Sequence, residues 1–260
     1  MHRFIVSADL MPGLMPGQTV ALDPDEARHA SRVLRLAEGD RVGVFDGNGT
    51  AATGRITSVS PAGVLVAITE LAEPNEPRVD ITLYQGLCKG DKLEIITQKC
   101  VELGVMRIAP VCFKRSDVRI NENKASEGAR AQRLAKIARE AAKQCGRAYV
   151  PAIAEPVTFD EMLRDIASGA SNRAGECVQP RRVIVPWEKE TRGMRDALTN
   201  VGECGAFSIV IGPEGGIEED EIAALMHVGA ITVSLGRRVL RTETAAIAAV
   251  AALMFFRGEM

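Results

Sequence analysis

The spacing of apolar residues changes character near residue 73. Before that point the chain carries short runs with turn residues between them. Phe4-Ile5-Val6, Arg41–Phe45, Arg55–Val59 and Gly63–Ile68 are predicted strands. Asp46-Gly47-Asn48-Gly49 is a strong hairpin signal, and Ser60-Pro61-Ala62 separates two of the runs. One helix is predicted over Asp23–Arg35. Asp23 can cap it, Pro24 suits the first helical position, and Asp25 and Glu26 suit the first turn. Several short strands with one helix predict a small β-barrel.

Glu73-Pro74-Asn75-Glu76-Pro77 reads as a linker. Beyond it, strands alternate with helices. Predicted strands are Val79–Gln85, Val105–Phe113, Arg182–Val185, Phe207–Ile211 and Ile231–Leu235. Predicted helices are Asp91–Leu103, Ala131–Cys145, Met194–Leu198, Glu218–Val228 and Thr244–Phe256. Leu93, Ile96, Cys100 and Leu103 form one stripe of the first of these, which Gly104 closes. This alternation predicts an α/β domain with a largely parallel sheet. The expected division is residues 1–72 and 73–260. Ser168–Pro180 is polar and glycine-containing and is expected to be a loose surface loop.

Composition changes this picture little. With 46% hydrophobic and 25% charged residues and a net charge of -2, the chain is an ordinary globular one. Charge is uneven along it. Arg107–Arg147 holds eleven Lys/Arg against four Asp/Glu, a net of +7, whereas Met1–Asp80 carries a net of -4. That asymmetry predicts a basic face in the middle third. The six cysteines contain no CxxC pair and the three histidines are far apart, so no metal site is expected. The N-terminus lacks an apolar signal-peptide core. Thr244–Phe256 falls short of the ~20 residues a membrane span requires. A cytoplasmic protein is expected.

The chemistry concentrates in two glycine-containing loops, each between an apolar run and a helical one. They are Ile211-Gly212-Pro213-Glu214-Gly215-Gly216 and Ser234-Leu235-Gly236-Arg237-Arg238-Val239-Leu240-Arg241-Thr242-Glu243-Thr244. Two such loops close in sequence predict one pocket at the carboxyl edge of a parallel sheet. Glu218, Glu219, Asp220 and Glu221 crowd the helix after the first loop and would repel phosphate. P-loop and dinucleotide-binding signatures are absent. A neutral or cationic ligand with an apolar ring suits such a site, and S-adenosylmethionine has those properties. Thr242 or Thr244 can cap the last helix. Trp187, in Val185-Pro186-Trp187-Glu188, belongs either to the core or beside a ligand ring.

These residues carry a resemblance. The ordered set Ile211–Gly216, Ser234-Leu235-Gly236 and Val239–Ala245 resembles the SPOUT methyltransferases. It is most similar to the RsmE family of 16S rRNA uridine-N3 methyltransferases. Lys89-Gly90-Asp91 with Lys99 and Glu102–Val105, Arg115-Ser116, Glu140-Ala141-Ala142 with Gln144 and Gly146-Arg147, Arg3-Phe4 and the Val33–Asp40 region agree with it. The resemblance implies an N-terminal PUA-like β-barrel that binds RNA. It also implies a SPOUT-type α/β domain with a C-terminal trefoil knot, an exception to the usual topology rule. It further implies a homodimer and S-adenosylmethionine bent within the knot loops. Those loops map to Pro186, Trp187 and Glu188; to Ile211, Gly212, Gly215 and Gly216; and to Leu235, Gly236, Val239, Leu240, Arg241 and Thr244. The alanine-rich helix Ala245–Ala252 could let a symmetry mate approach closely.

Methyl transfer to N3 of uridine is an in-line displacement. Holding the reacting atoms about 3–3.5 Å apart and aligned is worth ~7–11 kcal/mol. The N3 proton must also leave, which calls for a base or for stabilisation of the anionic ring. Arg241 is the candidate for orienting the uracil and stabilising its charge. Glu214 or Glu243 could be the base, although a structural role ranks higher for both. The target base must be unpaired or flipped out. With only 4% aromatic residues, RNA should be held through its phosphates. Candidates for those phosphates are Arg28, Arg32 and Arg35, at spacing i, i+4, i+7, and Lys114, Arg115, Arg119, Arg139, Lys143 and Arg147; the resemblance adds Arg3, Lys89, Glu140 and Gln144 as RNA-contacting residues. The expected partner is 16S rRNA within the small ribosomal subunit. Two other readings compete: a SPOUT enzyme for another rRNA or tRNA position, and a non-catalytic RNA-binding ribosome-assembly protein.

Overall fold

The structure is a computed structural model describing residues 1–6, 15–73, 75–120, 124–169, 181–199 and 204–260, with 124–127 as backbone only. Apart from Ser168 and Gly169, the loop expected over Ser168–Pro180 lies outside the described residues. The chain divides into two units, Met1–Glu76 with Arg139–Val150, and Pro77–Ala138 with Pro151–Met260.

In the first unit, β1 (Arg3–Ile5), β2 (Thr19–Ala21), β3 (Arg41–Phe45), β4 (Ala51–Ser60) and β5 (Gly63–Ala72) pair in the order β1-β3-β4-β5-β2. β1 runs parallel to β3, and the other pairs are antiparallel. The turn before β4 is held as its sequence predicts. Asp46 Oδ1 accepts from the Asn48 and Thr50 amides at 2.8 and 3.0 Å. Phe4, Val20, Val42, Ile56 and Val66 fill the core.

The helix predicted over Asp23–Arg35 forms differently. α1 spans only Pro24–Arg28 and passes into a π turn, His29–Val33. There the Leu34 amide donates to the His29 carbonyl at 3.0 Å, an i→i+5 bond. Arg35 then takes a left-handed φ of 53°. Arg28 ends α1, Arg32 lies in the π turn and Arg35 lies beyond it, so the three arginines do not share one α-helix. Late in the chain, Arg139–Val150 completes this unit. Arg147 is buried, and its guanidinium meets Glu76 Oε2 at 2.9 Å. Glu76 Oε1 accepts from the Ala148 and Tyr149 amides, each at 2.8 Å.

In the second unit a parallel sheet runs β12-β10-β11-β6-β7-β8. Its strands are β6 (Asp80–Gly86), β7 (Arg107–Cys112), β8 (Ala152–Ile153), β10 (Arg182–Pro186), β11 (Ala206–Ile211) and β12 (Ile231–Val233), and β9 (Val157–Thr158) also pairs with β7. Strand residues alternate between two cores, as a period of two requires. Leu83, Ile184, Ile209 and Ile211 face one core, with α2 (Lys92–Glu102), α5 (Met194–Thr199) and α7 (Thr242–Phe256). Tyr84, Val183, Val185 and Val210 face the other, with α4 (Phe159–Ser168) and α6 (Glu219–His227). α3 (Lys124–Cys145) begins earlier than its periodicity predicts. Because the sheet is parallel, β6, β7, β10, β11 and β12 all end on one edge.

Candidate functional site

The segments that follow β10, β11 and β12 enclose a cavity of about 480 Å³ at that edge. This volume suits a small-molecule site. Pro186, Trp187, Glu188, Ile211, Gly212, Gly215, Gly216, Leu235, Gly236, Val239, Leu240 and Arg241 all line it. The three loops singled out from the sequence therefore meet around one space. Thr244 is exposed and outside the lining, while Thr242 sits within it. Lys92, Arg238 and Ala245 line it as well. Lys92 carries no motif signal and comes in from α2.

Close backbone contact shapes the loop after β11. A Cβ on Gly215 would lie 2.7 Å from the Arg115 carbonyl oxygen, so no larger residue fits without movement. Gly216 takes φ +77°, the left-handed region that glycine adopts freely. The wall behind the loops is polar and buried. Gln85, fully buried near the end of β6, donates from Nε2 to Thr242 Oγ1 at 2.9 Å. The Thr242 hydroxyl donates in turn to the Gly212 carbonyl at 2.7 Å. One threonine thus ties the loop after β11 to the start of α7. The capping role expected of it is not seen, because its hydroxyl is spent on Gly212. Gln85 Oε1 is buried and makes no hydrogen bond.

Glu214 has a fixed task. Its Oε1 accepts from the Lys89 amide at 3.0 Å and from Lys92 Nζ at 2.9 Å. Burial pushes its pKa up, but the bonds from Lys92 and from the backbone outweigh this and hold the carboxyl below the usual range. A carboxylate stabilised in its charged form is a weak proton acceptor, so Glu214 reads as a clamp between its loop and α2. Glu243 does not line the cavity, and its Oε2 is buried without a hydrogen-bond partner.

The lining fits a ring-bearing cationic ligand. Trp187 offers an aromatic face and a buried Nε1–H that has no acceptor. Ile211, Leu235 and Leu240 are apolar, and the Glu188 and Glu214 carboxylates border the same space. Among the described residues no cluster of three or more His, Cys, Asp or Glu could hold a metal ion. Likewise, no described helix is long and apolar enough to cross a membrane.

Cations behave in two ways. Arg237, Arg238 and Arg241 are exposed and make no ion pair with described residues. Arg238 and Arg241 stand at the cavity. By contrast, the Arg107–Arg147 segment is largely compensated. Arg107 meets Asp165 at 2.6 Å, Arg115 meets Glu218 at 3.2 Å, and Lys114 pairs with Asp220. Arg133 meets Glu94, Arg139 meets Asp23 and Lys143 meets Glu26. The basic face expected from the charge run is thus mostly spent on carboxylates.

The residues proposed to touch RNA divide similarly. In the first unit Arg28, Arg32 and Arg35 are exposed, with Arg28 paired to Asp25. Arg3 lies over the Phe45 ring at 4.8 Å, half-buried, and desolvation lowers its pKa. Glu140 and Gln144 are exposed. Arg147, expected at the RNA, is 2% exposed and holds Glu76 instead. In the second unit Lys89 pairs with Asp117 at 2.8 Å. Arg119 donates to the Phe113 and Lys114 carbonyls.

Comparison with known proteins places the chain. A family model described as an RNA methyltransferase domain matches residues 74–254, and one described as an RNA methyltransferase PUA domain matches residues 22–69. The chain is 32% identical to ribosomal RNA small subunit methyltransferase E of Bacillus subtilis, over 91% of this chain and 90% of that protein. Against the protein of the same name in Synechocystis the identity is 32%, over 90% and 72%. The crystal structure of the Neisseria gonorrhoeae ribosomal RNA small subunit methyltransferase E, bound to S-adenosyl methionine, superposes with a TM-score of 0.83 at 30% identity, covering 98% of this chain and 97% of that one. With its PUA-like domain and parallel α/β domain, the chain belongs to the ribosomal RNA small subunit methyltransferase E family.

Proposed function

We propose that this protein methylates N3 of a uridine in 16S rRNA of the small ribosomal subunit, with S-adenosylmethionine as donor. The observation that carries the reading is the cavity built from the ends of β10, β11 and β12, with Arg238 and Arg241 at it and no ion pair to either among the described residues. When bound there, the cofactor supplies an electrophilic methyl carbon on sulfur. The residues suited to hold it are Trp187, Gly216, Leu235, Gly236 and Leu240.

Arg241 caps α7 at the cavity and has no competing carboxylate among the described residues. Its guanidinium can donate to a uracil carbonyl and stabilise the negative charge that develops as the N3 proton leaves. Thr242, one residue on, fixes that helix end to the loop after β11, which keeps Arg241 in register. Exposed cations near the cavity and on the first unit can hold phosphates. A cytoplasmic location follows from the substrate.

Two structural features belong to the same proposal. The C-terminal strands form a trefoil knot, supported by the order β12-β10-β11 and by the meeting of their loops. The protein is a homodimer, supported by exposed Ile95 on α2 and Phe255 on α7, helices that pack on each other. Sedimentation analysis reads the dimer directly. The function is tested by incubating the protein with labelled cofactor and small ribosomal subunits lacking the modification, then analysing nucleosides. Label in N3-methyluridine is the expected result; label in any other nucleoside, or none, rejects the assignment.

A further inference from the structure

A second cavity, also of about 480 Å³, lies along the same sheet edge over the ends of β6 and β7. Resting on the reading of the chain as an rRNA methyltransferase, we propose that it receives a nucleotide of the RNA adjacent to the one methylated. The phosphate is held by Lys89, Arg130 and Arg133, and the base lies against Val118 and Ala129.

Placement supports this. The two cavities share a wall: Lys92 and Glu214 line the first, Lys89 and Leu93 line the second, and Glu214 accepts from both the Lys89 amide and Lys92 Nζ. An acceptor base must come within about 3–3.5 Å of the methyl carbon. The strand carrying that base therefore has to cross ground next to the first cavity, and the second cavity occupies such ground.

Its chemistry matches a nucleotide. Leu93 and Leu134, 2% and 3% exposed, close the floor, and the more open Val118 and Ala129 give the apolar surface against which a base can lie. Arg130 contacts the Cys88 carbonyl at 3.4 Å and has no carboxylate partner among the described residues. Arg133 and Lys89 pair with Glu94 at 2.5 Å and Asp117 at 2.8 Å, with both cations largely exposed. Such surface pairs are worth only ~0–1 kcal/mol, so an arriving phosphate can take over either cation. The cavity thus presents three cations against one carboxylate, Glu94, and keeps a net positive charge around its apolar residues.

The test uses the full-length protein and a fragment of small-subunit rRNA. Ala129 lines this cavity from an exposed position on α3, so Ala129→Phe fills the space without altering charge. Arg130→Gln removes one cation and keeps a polar side chain. RNA affinity is measured across a salt series, and cofactor affinity by calorimetry. The expected result for Ala129→Phe is at least tenfold weaker RNA binding at unchanged cofactor affinity. For Arg130→Gln, the log–log salt slope should fall by about 0.7–0.9. Wild-type affinity and slope in both folded variants, or no RNA binding by the wild type, overturns the proposal. Methylation of intact subunits by the wild type is scored separately, so the subsite is judged on binding and the enzymatic reading on product.

Discussion

At Thr242 one hydroxyl accepts from Gln85 and donates to Gly212, which leaves the Gln85 carbonyl oxygen buried and alone. Gln85→Leu removes the donor and the unsatisfied acceptor together, so the two effects on folding oppose each other. The expected outcome is a melting temperature within a few degrees of wild type. Cofactor affinity should be about tenfold weaker, or ~1.4 kcal/mol, by calorimetry. A large drop in melting temperature at unchanged affinity would make Gln85 merely structural. Arg241→Ala should lower kcat on small subunits by about 10² while changing cofactor affinity far less, as removal of a charge-stabilising donor does. Single-turnover kinetics checks this. At this scale the sequence is readable where a residue's own neighbours reveal its task. Glycines and apolar residues of the three loops all fall at the cavity. Thr244 does not, because two threonines two residues apart look alike until α7 is oriented. Lys92 and Gln85 arrive from other elements and carry no local mark.

Among elements, the contact between the loop after β11 and α2 depends on Glu214 being ionised. Because its folded pKa is lowered, this contribution is present above the ordinary carboxylate range and is lost as pH falls through the lower folded value. Cofactor affinity should therefore weaken at acid pH, and Glu214→Gln should weaken it at neutral pH and flatten the acid limb. Titration calorimetry across that range reads both. Gly86 makes a second junction. A Cβ there would lie 2.4 Å from the Pro213 nitrogen. Gly86→Ala must push β6 away from that loop, and a loss on the order of 1–3 kcal/mol is expected in thermal denaturation. Five parallel strands and their helices follow from apolar period and turn residues, so they are legible in sequence, whereas β8, β9 and α4 are not predicted there. The π turn after α1 is not, since an i→i+5 bond leaves the apolar pattern nearly unchanged. The early start of α3 is not legible either, because the sequence of its first turns is polar and carries no hydrophobic stripe.

For the molecule as a whole, sequence-local charge is a poor guide to surface charge. The +7 segment meets acids from residues far away in sequence, whereas Arg237, Arg238 and Arg241 have no ion pair among the described residues. RNA binding should nevertheless weaken steeply with salt. Arg32→Gln, at an exposed position of the first unit, should reduce the log–log slope by about 0.7–0.9. An unchanged slope would remove that arginine from the RNA contact.

The division of the chain was hidden for a related reason, since Glu76 and Arg147 meet across a sequence separation of 71 residues. Their pairing has a consequence for biosynthesis. Translation completes Met1–Glu76 while its last carboxylate still lacks its guanidinium. At roughly 5–20 residues per second, the ribosome needs on the order of 4–15 s more to deliver Arg147. During that delay the N-terminal strands emerge without the piece that finishes them, and a nascent chain stalled in the interval should remain open to protease.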